Sequence, residues 1–240
     1  MLIQRIYESK KLYMNELIVI NDHDRYHYLH NVIRIKKGDS IIVFNNSKFN
    51  FYCKVIAIMP YKIILQVNQI KENKNESNVY LHLAQIISLN KKKMNFIIQK
   101  STEMGINEIT PIIIKKTHII TSNVIKKWKK ISISSCQQCC RSIIPIINPP
   151  IELNKWLNQN HETDQKIIFY PHTQNKLINV KRKVKKIIIM VGNENGFSNL
   201  SIKKFKEYGF HDISIGKRIL RMETAVIAAI SVIQVRYGDF

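Results

Sequence analysis

Residues 187–230 read IIIMVGNENGFSNLSIKKFKEYGFHDISIGKRILRMETAVIAAI and hold two strand–turn–helix units in succession. Residues 187–191 are an unbroken apolar run of strand length, the pattern of a strand buried on both faces. Gly192 ends it. Residues 200–208 then place apolar side chains at helical spacing and stop at Gly209, which suits a helix C-terminus. Residues 212–215 form a second short strand, and residues 223–237 a final helix closed by Gly238. Repeated units of this kind predict a parallel sheet covered by helices, an α/β domain.

Upstream the alternation continues. Residues 80–87, 109–114 and 166–170 read as strands, and 92–104 and 123–140 as helices. Met94, Ile97, Ile98 and Met104 recur at helical spacing before Gly105. The first part of the chain differs. Residues 41–44, 49–58 and 62–67 are β-branched and aromatic, separated by the turn-like stretches 45–47 and 59–61. With a short helix over 22–33 they predict a small β-barrel. Residues 71–78 are uniformly polar and form the best linker, which divides the chain into domains 1–72 and 73–240.

Against 38 Lys and Arg stand 17 Asp and Glu, a formal net charge of +21 that points to a polyanionic partner. Ile, Lys and Asn number 45, 30 and 23, and all three use A/T-rich codons, so part of the lysine excess reads as drift. No apolar run reaches the roughly 18–20 residues of a membrane span, and no signal-peptide core follows the N-terminus. The expectation is a soluble, cytoplasmic protein. The dinucleotide-type GxGxxG loop and the P-loop are both missing. Cys136, Cys139 and Cys140 form a CxxC without a second ligand pair, and His23, His27 and His30 lack a matching carboxylate. No metal is expected from either group. The cysteines read as small, partly buried residues, and the histidines as packing or RNA-facing ones.

Ligands of an open parallel sheet bind beyond the carboxyl ends of its strands. Three late loops there carry unusual residues: Tyr170-Pro171-His172, Gly192 to Gly196, and Gly216 to Thr224. The glycine pair reads either as a ligand-facing turn or as an ordinary βα connection. Arg218, Arg221 and Glu223 read either as a helix cap with surface charge or as functional groups. Arginine is scarce in this lysine-dominated chain, eight residues in all, which favours a need for guanidinium geometry.

Four segments carry a family likeness: QKSTEMGINEITP (99–111), the stretch from Trp128 through CQQCCRSIIP (136–145), GNENGFS (192–198) and IGKRILRMETA (215–225). Together with RIY (5–7) and HYLHNVIRIKKGD (27–39), they resemble the RsmE family, bacterial methyltransferases of uridine N3 in 16S ribosomal RNA. The resemblance is collinear over nearly the whole chain. It implies a PUA-like β-barrel that binds RNA, followed by a SPOUT methyltransferase domain with a deep trefoil knot. The family works as a homodimer on S-adenosylmethionine.

By the same resemblance, Gly192, Glu194 and Gly196 wall the cofactor pocket. Gly216, Ile219 and Leu220 surround the adenine, and Tyr170 and Pro171 form a short cofactor-side loop. Arg221, Glu223 and Thr224 lie nearest the chemistry, with Arg221 and Glu223 catalytic and Thr224 on the cofactor. Arg5, Arg34, Arg141 and Arg218 are the arginines expected on RNA. Four residues depart from the family pattern: Asn193 stands for a proline, Asn195 for a glycine, Gln137 for a glutamate and Met222 for a threonine. Asn193, Asn195 and Met222 leave room for a catalytically weakened RNA-binding or ribosome-assembly protein, and a related SPOUT enzyme acting on another nucleotide is a second alternative.

Overall fold

The computed structural model describes residues 3–114, 120–177 and 184–240. They form two compact units, Met1–Glu76 with Cys136–Ile143, and Ser77–Ser135 with Ile144–Phe240.

The first unit is a curled five-stranded sheet. Its strands are β1 (Arg5–Tyr7), β2 (Leu17–Ile20), β3 (Ser40–Phe44), β4 (Phe49–Met59) and β5 (Lys62–Glu72), in the order β1-β3-β4-β5-β2. β1 and β3 run parallel and the other neighbours antiparallel. Alternate residues of β5, Ile63, Leu65 and Val67, meet Ile20, Ile41, Val43 and Val55 in one core. The β4–β5 register shifts between Tyr52 and Cys53 and between Val55 and Ala57. Such bulges bend and twist a strand, which helps the sheet curl around that core.

The segment read as one helix over 22–33 is instead α1 (His23–His27), capped by Asp22, running into a π-helical turn over Tyr28–Val32. The polar stretch 71–78 is not a loose tether. β5 runs through Glu72, and the buried Asn73 amide donates to Cys140 O (2.9 Å) and Ser142 Oγ (2.7 Å). Glu76 pairs with Arg141 at 2.8 Å. Within the stretch, Asn73, Asn75 and Glu76 spend their polar side chains on residues 140–142.

The second unit is a fully parallel sheet. It comprises β6 (Tyr80–Ile86), β7 (Glu108–Ile113), β8 (Ile146–Ile147), β9 (Ile151–Glu152), β10 (Gln165–Phe169), β11 (Lys186–Val191) and β12 (Phe210–Ile213). The order is β12-β10-β11-β6-β7-β8, with β9 also beside β7. Its helices are α2 (Lys91–Glu103), α3 (Ser122–Cys139, whose last residues belong to the first unit), α4 (Leu153–Leu157), α5 (Asn199–Glu207) and α6 (Met222–Tyr237).

The period of two explains the apolar run of β11. Ile187, Ile189 and Val191 enter one core layer with Leu81, Leu83 and Ile230, while Ile188 and Met190 enter the other with Trp156 and Phe205. β12 lies two residues earlier than the sequence reading placed it, because Phe210 packs in the second layer and Ile215 leaves the sheet for the loop beyond. Among the described residues no helix is long and apolar enough to cross a membrane.

Candidate active site

β12, β10 and β11 are neighbours, so their carboxyl ends lie side by side and the three loops leaving them meet. They enclose a cavity of about 520 Å3. A second cavity, of about 680 Å3 around His82, Glu108 and Lys186, lies where β6, β7 and β11 begin, at the opposite end of the sheet.

The loop after β11 is pinned at its start by Gln85, whose Nε2 donates to Gly192 O at 3.3 Å. Gly192 is glycine for want of space: a Cβ there would meet the Phe197 ring at 3.2 Å and Gly196 Cα at 3.3 Å. Gly196 is glycine for its backbone, at φ +63°. Asn193 closes the turn from both ends. Its Oδ1 accepts from the Asn195 N–H (3.1 Å) and its carbonyl from the Gly196 N–H (3.0 Å). An Asx turn thus stands where the family pattern has a rigid proline. The left-handed residue of the loop is Gly196 and not Asn195, so Asn195 needs no special backbone conformation.

Glu194 is held by two donors. Ser88 Oγ donates to Oε1 at 2.5 Å and Lys93 Nζ at 3.2 Å. Burial pushes this carboxyl up, but the Ser88 hydrogen bond and the Lys93 ammonium outweigh it and hold it below the usual carboxylate range. Lys93 Nζ also lies 3.8 Å from Glu223 Oε2, which is buried and has no hydrogen-bond partner. The ion pair of Glu223 therefore runs to Lys93 rather than to Arg221. Arg221 is the residue capping α6. Its backbone is extended, its carbonyl accepts from the Ala225 N–H at 2.8 Å, and its side chain is exposed.

In the loop after β12, Gly216 sits at φ +133°, and Ile219 is 80% exposed. On the third side, Tyr170 Oη donates to Asn199 Oδ1 at 2.5 Å and its ring meets His172 edge-on.

The residues lining this cavity include Tyr170, Pro171, Gly192, Glu194, Gly196, Gly216, Arg218, Ile219, Leu220 and Arg221. Neither Glu223 nor Thr224 is among them. Each helical residue rotates by about 100°, so Thr224 leaves the face on which Met222 and Ala225 meet the cavity. Met222 is 4% exposed and part of the core, which accounts for an apolar residue at that position.

Two of the arginines expected on RNA are internal. Arg5 and Arg141 are buried. Arg5 donates to Arg141 O (2.9 Å) and Ser142 Oγ (3.2 Å), and Arg141 pairs with Glu76. A guanidinium enclosed in this way cannot reach a phosphate, so these two are structural. Gln137 belongs to the same knit: its Nε2 donates to Arg5 O at 2.9 Å, which a glutamate could not do at neutral pH. Arg34 and Arg218 are exposed.

Lys93 escaped the sequence reading because it hides in a lysine run and its partners Glu194 and Glu223 lie over a hundred residues away. Phe197, which fills the space Gly192 leaves, stands in the GNENGFS segment but was not singled out, because an aromatic there reads as ordinary packing. Among the described residues no cluster of three or more His, Cys, Asp or Glu is placed to hold a metal. Burial pushes the Cys136 thiol up to about 12, so it is not poised as a thiolate.

Comparison with known proteins bears on this geometry. Residues 75–234 match the model of an RNA methyltransferase domain and residues 20–68 that of an RNA methyltransferase PUA domain. The ribosomal RNA small subunit methyltransferase E of Buchnera aphidicola from Acyrthosiphon pisum is 41% identical, covering 99% of this chain and 95% of that protein. The protein of the same name from Mesomycoplasma hyopneumoniae is 34% identical over 81% of this chain and 85% of its own. The crystal structure of the Neisseria gonorrhoeae protein of that name, bound to S-adenosyl methionine, superposes with a TM-score of 0.92 at 28% identity, covering 99% of each chain.

Proposed function

Since this chain belongs to the ribosomal RNA small subunit methyltransferase E family, we propose that it methylates N3 of a uridine in 16S ribosomal RNA, using S-adenosylmethionine. The observation that carries this reading is the cavity built from three loops, two of them glycine-bearing, with Arg221 at its rim.

The residues present fit the cofactor. About 520 Å3 lies within the range of small-molecule sites. Phe169, Val191, Ile215 and Leu220 give apolar surface for an adenine, the Gly192 and Gly216 loops bring backbone close, and Glu194 offers a carboxylate to a cationic group. When bound, S-adenosylmethionine supplies an electrophilic methyl group on a sulfonium.

The chain's own residues have two tasks. Uridine N3 carries a weakly acidic proton that must leave as the nitrogen acquires the methyl group. Arg221 stabilises the anion that develops on the base, a role suited to a guanidinium exposed at the cavity rim. Glu223 does not line the cavity and its Oε2 is buried beside Lys93, so its carboxylate positions the Lys93 ammonium at the cavity wall rather than meeting the base itself. Arg34 and Arg218 are the exposed arginines that contact phosphates.

The boundary near residue 72, the trefoil knot, the homodimer and the cytoplasmic location belong to the same reading, supported by the full-length match to named relatives. The rival of a catalytically weakened RNA-binding protein rested on Asn193, Asn195 and Met222. The Asx turn and the buried Met222 side chain account for those residues without a failed pocket.

Calorimetric titration tests the reading. Wild-type protein is expected to bind S-adenosylmethionine at one site per chain. Gly192→Val, which drives a branched side chain into Phe197, is expected to abolish binding. No heat from the wild-type protein would overturn the assignment.

A further inference from the structure

The histidines of the first unit belong neither to the core nor to the site above. α1 buries none of its residues. His23, Tyr26, His27 and His30 fall at helical spacing on one side of α1 and the π-turn. Their rings stack in two pairs: His23 on His27 at 6.1 Å and 19°, and Tyr26 on His30 at 5.2 Å and 11°. A third ring extends the second pair, Tyr61 at 6.0 Å from Tyr26.

Tyr61 is an unusual choice. β4 and β5 pair through Met59 and Lys62, so Pro60 and Tyr61 form a two-residue hairpin loop. Proline fixes the first position, and the second sits at φ +59°, a conformation glycine or asparagine adopts at least cost. The chain holds 23 asparagines, yet a tyrosine stands here, 77% exposed. Its ring does not repay the strain by burial, and strain of this kind marks functional positions.

The platform is anchored on its core side and bordered by positive charge. Tyr26 packs one edge on the barrel core. His30 Nδ1 lies 2.7 Å from Asn31 Oδ1, which fixes the imidazole plane. The carboxylates of Asp22 and Glu8 are consumed by Arg25, leaving Asp24, beside His23 at the far end. Exposed Arg34, Lys36 and Lys37 follow the platform in sequence.

We propose that Tyr26, His30 and Tyr61 form a stacking site for unpaired bases of single-stranded RNA flanking the target, an inference that rests on the RNA-methylating reading above. Aromatic platforms bind bases of any sequence through their π-faces, with charge supplied by nearby cations.

The test uses the full chain and a labelled single-stranded RNA, with an RNA duplex of equal length as control, followed by fluorescence anisotropy. The double variant Tyr61→Ala/His30→Ala is expected to bind the single strand at least about tenfold more weakly. Duplex affinity, the salt slope and S-adenosylmethionine affinity should not change, since stacking releases no counterions. Tyr61→Phe keeps a ring and should bind as wild type. Wild-type affinity in the double variant, or an equal loss for strand and duplex, overturns the proposal. A wild-type protein that binds RNA through these rings yet methylates none would refute the methyltransferase reading and leave the platform standing.

Discussion

Arg221 and Glu223 stand in contrasting surroundings. The Arg221 guanidinium is exposed at the cavity rim, while Glu223 is half-buried, with its Oε2 enclosed beside the Lys93 ammonium. Arg221→Ala is therefore expected to lower methyl transfer by at least about a hundredfold while S-adenosylmethionine affinity stays within several-fold. Single-turnover transfer and calorimetry on the same preparation measure both, and wild-type turnover would remove Arg221 from the mechanism. Cysteine reactivity is a second residue-scale test. Burial pushes Cys53 and Cys136 up to about 12, so both should resist iodoacetamide at mildly alkaline pH until the protein unfolds. Peptide mapping that finds either alkylated in native protein would contradict the packing. At this scale the glycines, Arg218 and Arg221 were legible, since residue type alone advertises turn geometry or charge. Lys93 was not, because an ion pair between distant segments leaves no local pattern, and the burial of Arg5 and Arg141 was hidden for the same reason.

Among the elements, α6 is anchored by a side chain that no periodicity reveals as special. Gln234 is fully buried. Its Nε2 donates to Met104 O at 2.8 Å, at the end of α2, and its Oε1 accepts from Ser77 Oγ at 2.7 Å. Two glycines make the room: a Cβ on Gly105 would lie 2.5 Å from Gln234 Nε2, and one on Gly238 would overlap Gln234 Oε1. Gln234→Leu leaves buried polar groups unpaired and should cost about 1–3 kcal/mol in urea unfolding. An unchanged midpoint would show that this amide does not tie α6 to its neighbours. The longer elements were readable because apolar runs and helical spacing persist over many residues. β8, β9 and α4 span only two to five residues each, too few for a period to emerge, and their places are decided by β7 and by both core layers.

The behaviour of the whole molecule should depend on pH and salt. Burial holds the His82 imidazole well below its ordinary value, with Glu108 pulling the other way and His161 and Lys186 adding to the depression. The unfolded chain thus takes up this proton first, near pH 6.5. Stability is complete above that pH and declines as pH falls below it, with Glu108, itself depressed, adding a loss at lower pH. The urea midpoint should drop between about pH 7 and pH 5, and His82→Gln should flatten the slope. A pH-independent midpoint would contradict a neutral buried imidazole.

RNA affinity should also fall steeply with salt, since phosphate contacts release counterions. Yet the +21 charge is not a map of the interface. Arg5 and Arg141, for example, serve folding. The two-unit plan was foreshadowed by the change from β-rich to alternating pattern. The return of residues 136–143 to the first unit was not, because it depends on hydrogen bonds such as Asn73 to Ser142 that link residues far apart in sequence.

The central claim is methylation of one atom in one RNA. Small ribosomal subunits and naked 16S RNA from a strain lacking this modification, incubated with the protein and S-adenosylmethionine, should acquire a single methyl group that nuclease digestion and mass spectrometry locate at uridine N3, and Arg221→Ala should leave them unmodified. A methyl group on any other atom, or none on either substrate from a wild-type protein that binds S-adenosylmethionine, would contradict it.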